Sequence, residues 1–251
     1  MLLLAGLAPV ACDLVDVTVD DGGVVIHPRW PFDGGLPEEG EELPVPGPQP
    51  PGGTVPDDGP APAATGCQQD LEDRRVEVSA APQMGGRPTG QPDLACAVED
   101  PVWIEPVLHG VTFRPARVGR RPVAIYASCA LAASLADMAR MLADRGVTDV
   151  VYLGIYGCRL VAGTTMLSEH GKGRAFDLAA LRTADGTVHS VLEHWERNQP
   201  APVTSTGRLL RESMVALYEA GTFNVILTPD YNAAHHNHIH LDLSPEGRFF
   251  R

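Results

Sequence analysis

The chain has 251 residues, 44% of them hydrophobic, with five cysteines and a net charge of −13. That length is enough for one or two domains. Ten of the thirteen net negative charges fall in residues 13–65, where eleven acidic side chains face Arg29 alone. The remainder is close to neutral and offers no clustered basic surface for phosphate, which argues against nucleic acid as a partner.

Residues 1–12 read M-L-L-L-A-G-L-A-P-V-A-C. This apolar run is too short to span a bilayer as a helix and has the form of the hydrophobic region of a secretory signal. Cys12, directly after Val10-Ala11, suggests a bacterial lipoprotein signal whose thiol receives a lipid. An ordinary signal peptide or a buried N-terminal strand are the alternatives. The expected location is the periplasm or cell envelope, with membrane contact only through that lipid.

Residues 13–65 form an acidic linker rich in Pro and Gly, with eleven prolines between Pro28 and Pro62. Such a segment buries too little apolar surface to offset chain entropy and is expected to be disordered and extended. Near its start, alternating V-D-V-T-V ahead of Asp21-Gly22-Gly23 permits a hairpin, marginal by itself in water.

The folded domain is expected over 66–251, as a monomer. Pro101 to Val107 is an extended segment bounded by prolines, and Val111 to Pro115 a short strand. Ser128 to Arg145 is the clearest helix: Leu131, Leu135, Met138 and Leu142 share one face, Ser128 is a plausible N-cap and Gly146 a plausible terminator. Asp149 to Tyr156 follows as a buried strand ending at Gly157-Cys158-Arg159. Arg174 to Leu181 is a strand carrying Asp177. Ala184-Asp185-Gly186 turns it into a partner strand from Thr187 to His194. Thr206 to Ala220 is a second amphipathic helix, and Phe223 to Leu227 a further strand. Strands interleaved with two helices predict an α+β fold, a mainly antiparallel sheet with packed helices.

Two stretches carry chemistry. In S-E-H-G-K-G-R-A-F-D (168–177), Gly171 and Gly173 let the backbone bend between His170 and Asp177. In the second stretch, 235–242, period-two alternation turns Ile239, Leu241 and Leu243 into a core and His236, His238, His240 and Asp242 to the opposite face. Histidines held in a row by a sheet suit a metal site. Two ligands from the loop and one from this strand make three, the count of a catalytic zinc that keeps a fourth position open. Nitrogen and carboxylate ligands without thiolate fit zinc better than copper(I) or an iron–sulfur cluster. His109, His189 and His194 read as surface or satisfied structural histidines, and Lys172 and Arg174 as solvated. Setting Cys12 aside, four cysteines remain: Cys67, Cys96, Cys129 and Cys158. They allow three disulfide pairings in an oxidising compartment, or four buried thiols.

Ser168, His170, Gly173, Ala175 and Asp177 match the S-x-H-x-x-G-x-A-x-D motif of zinc peptidases acting on bacterial cell walls, the D-Ala-D-Ala carboxypeptidases and murein endopeptidases. His235, His238 and His240 resemble the H-x-x-H-x-H of the endopeptidase version. More closely, Cys67 to Asp242 resembles the bacterial extensin-like C-terminal domain family, through Tyr156-Gly157-Cys158-Arg159, the L-S-E-H-G-K-G-R-A-F-D loop, the Asp185-Gly186 hairpin and N-A-A-H-H-N-H-I-H-L-D. The resemblance implies a hedgehog/DD-peptidase-like fold and a zinc site of His170, Asp177 and His240. It implies that His238 acts as general base or acid, with His235 beside it. Arg159 would bind a substrate carboxylate or oxyanion, Ser168 would stabilise the loop turn, and Asp242 would orient a ligand imidazole. Carboxypeptidase relatives often carry Glu three residues before the last ligand; here it is Asn237, with His238 as substitute. The family pattern pairs Cys129 with Cys158 and Cys67 with Cys96. The implied activity is hydrolysis of peptide bonds in peptidoglycan stem peptides or cross-links. The alternative is a non-catalytic wall-binding module on the same fold.

Overall fold

The computed structural model describes residues 15–20, 23–28, 66–116 and 121–251. The apolar segment 1–12 with Cys12, the proline-rich stretch and Arg120 lie outside the described residues. Strands β1 (Val15–Asp20) and β2 (Gly23–Pro28) pair as an antiparallel hairpin, the local structure their alternation permits. Among the described residues no helix is long and apolar enough to cross a membrane.

The larger unit opens with helix α1 (Gly66–Asp73), followed by β3 (Val78–Ala80), β4 (Pro101–Ile104), β5 (Val107–Leu108), β6 (Val111–Pro115) and β7 (Ile125–Ser128). Helix α2 (Cys129–Ala143) then leads into β8 (Val147–Gly154), β9 (Ala175–Thr183), β10 (Val188–Ser190) and the short α3 (Val191–His194). Helix α4 (Ser205–Glu219), β11 (Val225–Leu227), β12 (Ile239–Asp242) and β13 (Phe249–Phe250) complete it. Strands β3-β4-β7 form a small antiparallel sheet. The other eight form one sheet in the order β13-β11-β12-β9-β8-β6-β5, with β10 also paired to β9. Only β6/β8 and β11/β13 run parallel, so the fold is α+β with a mainly antiparallel sheet.

Helix α2 is one-sided as its spacing predicts: Leu131, Leu135, Met138 and Leu142 are all fully buried. Ser128 caps it, its hydroxyl accepting from Leu131 N at 3.2 Å. Gly146 takes the left-handed conformation two residues past the C-cap Asp144. Leu210, Met214 and Leu217 of α4 join the same core, which meets the sheet at Phe113, Phe176, Leu178 and Leu241. This core sits beneath β9 and β12 and holds their backbones rigid, which is what a site on their other face needs.

Three expectations change. The return strand of the β9 hairpin is only Val188–Ser190, because the Ser190 hydroxyl accepts from Glu193 N and starts α3 there. The histidine strand is only Ile239–Asp242; Ala233–His235 forms a 3₁₀ turn capped by Asn232. All four cysteines are disulfide-bonded, but as Cys67–Cys129 and Cys96–Cys158. Helix α1 packs on α2, which brings Cys67 to the start of that helix. Cys96 is thereby left for the loop after β8.

Candidate metal centre

Register places the first two candidate ligands. Strands β9 and β12 are antiparallel with His240 directly opposite Asp177. Directly opposed residues project from the same face with Cβ atoms about 5 Å apart. On the other side of β9, Asp177 is opposite Gly154 at the end of β8, where the strands slip register by a bulge. No side chain from Gly154 competes for the space beside the carboxylate.

The third candidate, His170, comes from a 3₁₀ turn, Glu169–Lys172, just before β9. Ser168 caps this turn, its hydroxyl accepting from His170 N at 3.3 Å. Gly173 ends it in the left-handed conformation, φ 64°, and its carbonyl accepts from Ser128 N at 2.9 Å. A Cβ on Gly173 would lie 2.8 Å from Val98 Cγ1 and 3.0 Å from Ser128 N, so only glycine lets the loop pass. Lys172 and Arg174 are half-buried and paired: Lys172 Nζ lies 2.6 Å from Glu169 Oε1, Arg174 Nε 3.6 Å from Glu169 Oε2, and Arg174 donates to the Leu243 carbonyl. These pairs clamp the loop to the end of β12.

The result is one cluster. His170, Asp177 and His240 each offer a ligand atom, all within 4.8 Å of one another. His170 Nε2 is 3.2 Å from Asp177 Oδ2 and 3.2 Å from His240 Nδ1; His240 Nδ1 is 2.9 Å from Asp177 Oδ1. Two ring nitrogens that close must share a proton or a cation between them. The outward nitrogens are already committed: His170 Nδ1 donates to the Ile155 carbonyl at 2.7 Å, and His240 Nε2 donates to Asp242 Oδ2 at 2.9 Å. Asp242 Oδ1 is itself held by Ser244 N at 2.8 Å. Each imidazole thus has its tautomer set from outside and turns a lone pair inward, the arrangement of metal-ligating histidines. The donor set fits a divalent cation such as zinc.

Electrostatics agree. Burial alone would raise the Asp177 pKa, but the His170 charge and hydrogen bonds from His170 and His240 outweigh it and hold the carboxylate well below its usual range. Burial opposes charging of His240, yet hydrogen bonds to Asp177 and Asp242 push it up to about 9. With no cation bound, the site therefore holds a proton on His240 that a metal ion would displace.

His238 and His235 stand beside this cluster. His238 Nε2 is 3.7 Å from Asp177 Oδ1, and its Nδ1 is 2.9 Å from Asn237 Oδ1. Burial lowers its pKa, with the charges of His240, His170 and Arg159 adding to that and Asp177 opposing it. The His235 ring lies 5.1 Å from that of His238 and 6.0 Å from that of His240; burial, His238 and His240 bring it down to about 4. Both are neutral near pH 7. Arg159 is exposed on the loop after β8, close enough for its charge to act on both rings. His236 is not in the site: it is exposed, with Nδ1 on the Ala233 carbonyl at 3.0 Å. Among the other histidines, His189 Nε2 is 3.3 Å from the Thr183 hydroxyl, His194 Nδ1 accepts from Ser190 N, and His109 is exposed.

Sequence reasoning missed Glu169, the Ile155 carbonyl and Asn232. The backbone acceptor leaves no trace in a side-chain pattern, but an Asn directly before a helical turn is a legible cap. A family model described as the extensin-like protein C-terminus matches residues 65–250. No curated protein and no solved structure matches the chain.

Proposed function

The chain belongs to the extensin-like C-terminal family, and from that membership and its His-Asp-His cluster we propose that it is a zinc-dependent hydrolase of the cell envelope. The observation that carries this reading is the convergence of three ligand atoms, from His170, Asp177 and His240, within 4.8 Å of one another. When bound, zinc supplies Lewis acidity, polarising a carbonyl and bringing water to hydroxide near neutral pH.

The chain's own residues do the rest. His238, neutral near pH 7 with Nδ1 engaged by Asn237, turns Nε2 toward the Asp177 side of the cluster. There it accepts a proton from the nucleophile and returns it to the leaving amine. Asn237 replaces the Glu of carboxypeptidase relatives and serves to orient this base. Arg159, exposed and with no ion pair among the described residues, can pair with a substrate carboxylate or a developing oxyanion. The shared motif with wall-active zinc peptidases supports a peptide bond in peptidoglycan stem peptides or cross-links as the target, on a hedgehog/DD-peptidase-like fold. Two disulfides fit an exported protein in an oxidising compartment, tethered through Cys12 if lipidated.

The test is metal analysis of the full chain, then incubation with purified peptidoglycan and mass analysis of the fragments. His240→Ala loses zinc and turnover; His238→Ala keeps zinc and loses turnover. Full activity in His240→Ala would refute the reading. Wall pull-down without new amino termini, in the unaltered protein, would replace it with a non-catalytic binding module.

A further inference from the structure

The turn before β12 contains a side chain whose contacts determine the chemistry of His235. Asn232 Oδ1 accepts from Ala234 N at 2.9 Å and from His235 N at 3.3 Å, capping the 3₁₀ turn. It also lies 2.8 Å from His235 Nδ1. An amide side chain can often be turned end for end without loss, but not here. Backbone N–H groups only donate, so the atom receiving both of them must be the oxygen. A ring nitrogen 2.8 Å from that oxygen must in turn carry the hydrogen. The neutral His235 ring is therefore the Nδ1–H tautomer, and Nε2 is its lone-pair nitrogen. Among the described residues, Nε2 has no hydrogen-bond partner.

The Asn237–His238 pair looks the same but is looser. Among the described residues Asn237 Oδ1 has no hydrogen bond beyond His238 Nδ1, so no second partner dictates which end of that amide faces the ring. Asn232 alone is anchored by the backbone. It also sits in the turn that delivers the chain from β11 to β12, so the cap and the tautomer are set by one oxygen.

We propose that Asn232 is a positioning residue: it holds His235 as a fixed Nε2 proton acceptor beside His238 and the ligand cluster. This rests on the hydrolase reading for its catalytic consequence, but its structural half stands apart from it. Each imidazole accepts only through the nitrogen that lacks hydrogen. Without Asn232, His235 divides between two tautomers, and one of them presents a donor where the site uses an acceptor.

The experiment is long-range ¹H–¹⁵N NMR of the full chain with labelled histidine, His235 being assigned by the signals lost in His235→Gln. The unaltered protein should show His235 protonated at Nδ1 alone when neutral. Asn232→Ala should bring in a population protonated at Nε2, while Asn232→Asp, which keeps the acceptor oxygen, should restore the original pattern. An unchanged His235 spectrum in Asn232→Ala would overturn the assignment. For the catalytic half, Asn232→Ala should retain stoichiometric zinc but hydrolyse peptidoglycan about 10–100-fold more slowly, with Asn232→Asp recovering part of the loss. Full turnover in Asn232→Ala despite the changed spectrum would overturn the positioning role. If the unaltered protein cleaves nothing, the hydrolase reading fails and takes the catalytic half with it, whereas the tautomer is decided by the spectrum alone.

Discussion

The proton on His240 should make metal affinity depend steeply on pH, and Asp242 should set where that dependence ends. In the metal-free protein the hydrogen bonds to Asp177 and Asp242 push His240 up to about 9. A cation taking Nδ1 must displace that proton. At pH 7 the group lies about two units below its pKa, so the apparent affinity is lower than its high-pH limit by about 100-fold. Between pH 6 and 8 the affinity should rise about tenfold per unit, then flatten near pH 9. Asp242→Asn is nearly isosteric but offers one acceptor oxygen where Asp242 uses two, Oδ2 for His240 Nε2 and Oδ1 for Ser244 N. It removes the charge that favours the imidazolium, so its affinity should level off at lower pH. At pH 9, where the proton no longer matters, the variant should bind zinc about 10–100-fold more weakly, the usual loss when an outer-shell partner is changed. At pH 6 the two proteins should be closer. The assay is competition for zinc against a chromophoric chelator, with calorimetry in two buffers counting about one proton released per ion at pH 7. An affinity that is flat from pH 6 to 9, or a variant curve parallel to that of the unaltered protein, would refute the reasoning.

Gly173→Ala should cost about 2–5 kcal/mol in denaturant unfolding. Left-handed strain for a Cβ-bearing residue contributes about 1–2 kcal/mol, and overlap with Val98 and the Ser128 amide about 1–3 kcal/mol; a loss below about 1 kcal/mol would show that the loop yields. The two disulfides each span 62 residues in sequence, so loop closure assigns each about 4 kcal/mol. Removing either as a Cys→Ala pair should therefore lower stability similarly. Only the Cys96/Cys158 pair should also loosen zinc: Cys158 lies three residues after the Ile155 carbonyl that orients His170, and Cys96 Sγ lies 3.3 Å from the Cβ position of Gly171. Equal zinc affinity in both double variants would remove the disulfide from the support of the site.

Much of the site was legible in the chain itself, because its signals are local. Leu131, Leu135, Met138 and Leu142 reveal α2 through a repeat that needs only the helix's own geometry. His170 and Asp177 declare themselves through the glycines between them, and His240 and Asp242 through alternation along a single strand. That His240, among the residues of that face, is the third member of the set came from the resemblance to wall-active zinc peptidases and not from the alternation. Alternation also misled: it carried His236 into the site, because period two was extended through a segment where Asn232 diverts the backbone into a helical turn. Thr187 to His194 was overextended for the same reason, its cap at Ser190 competing with the strand.

What the sequence determined by itself was which residue types meet, and hence that a nitrogen–carboxylate cluster able to hold a cation would form on a mainly antiparallel α+β fold. What only the tertiary structure decided was their register and their partners. His240 faces Asp177 because β9 and β12 pair at that one offset, a choice made by burying Phe176, Leu178, Ile239 and Leu241 on the opposite face. The disulfides connect Cys67 to Cys129 and Cys96 to Cys158 because α1 packs on the start of α2, a long-range contact that cysteine spacing does not encode. The tautomers of His170 and His235 depend on an oxygen of Ile155 and one of Asn232. A hydrogen bond is a short-range, directional contact between atoms that may be neighbours or far apart in the chain, so it becomes visible only once the chain has folded.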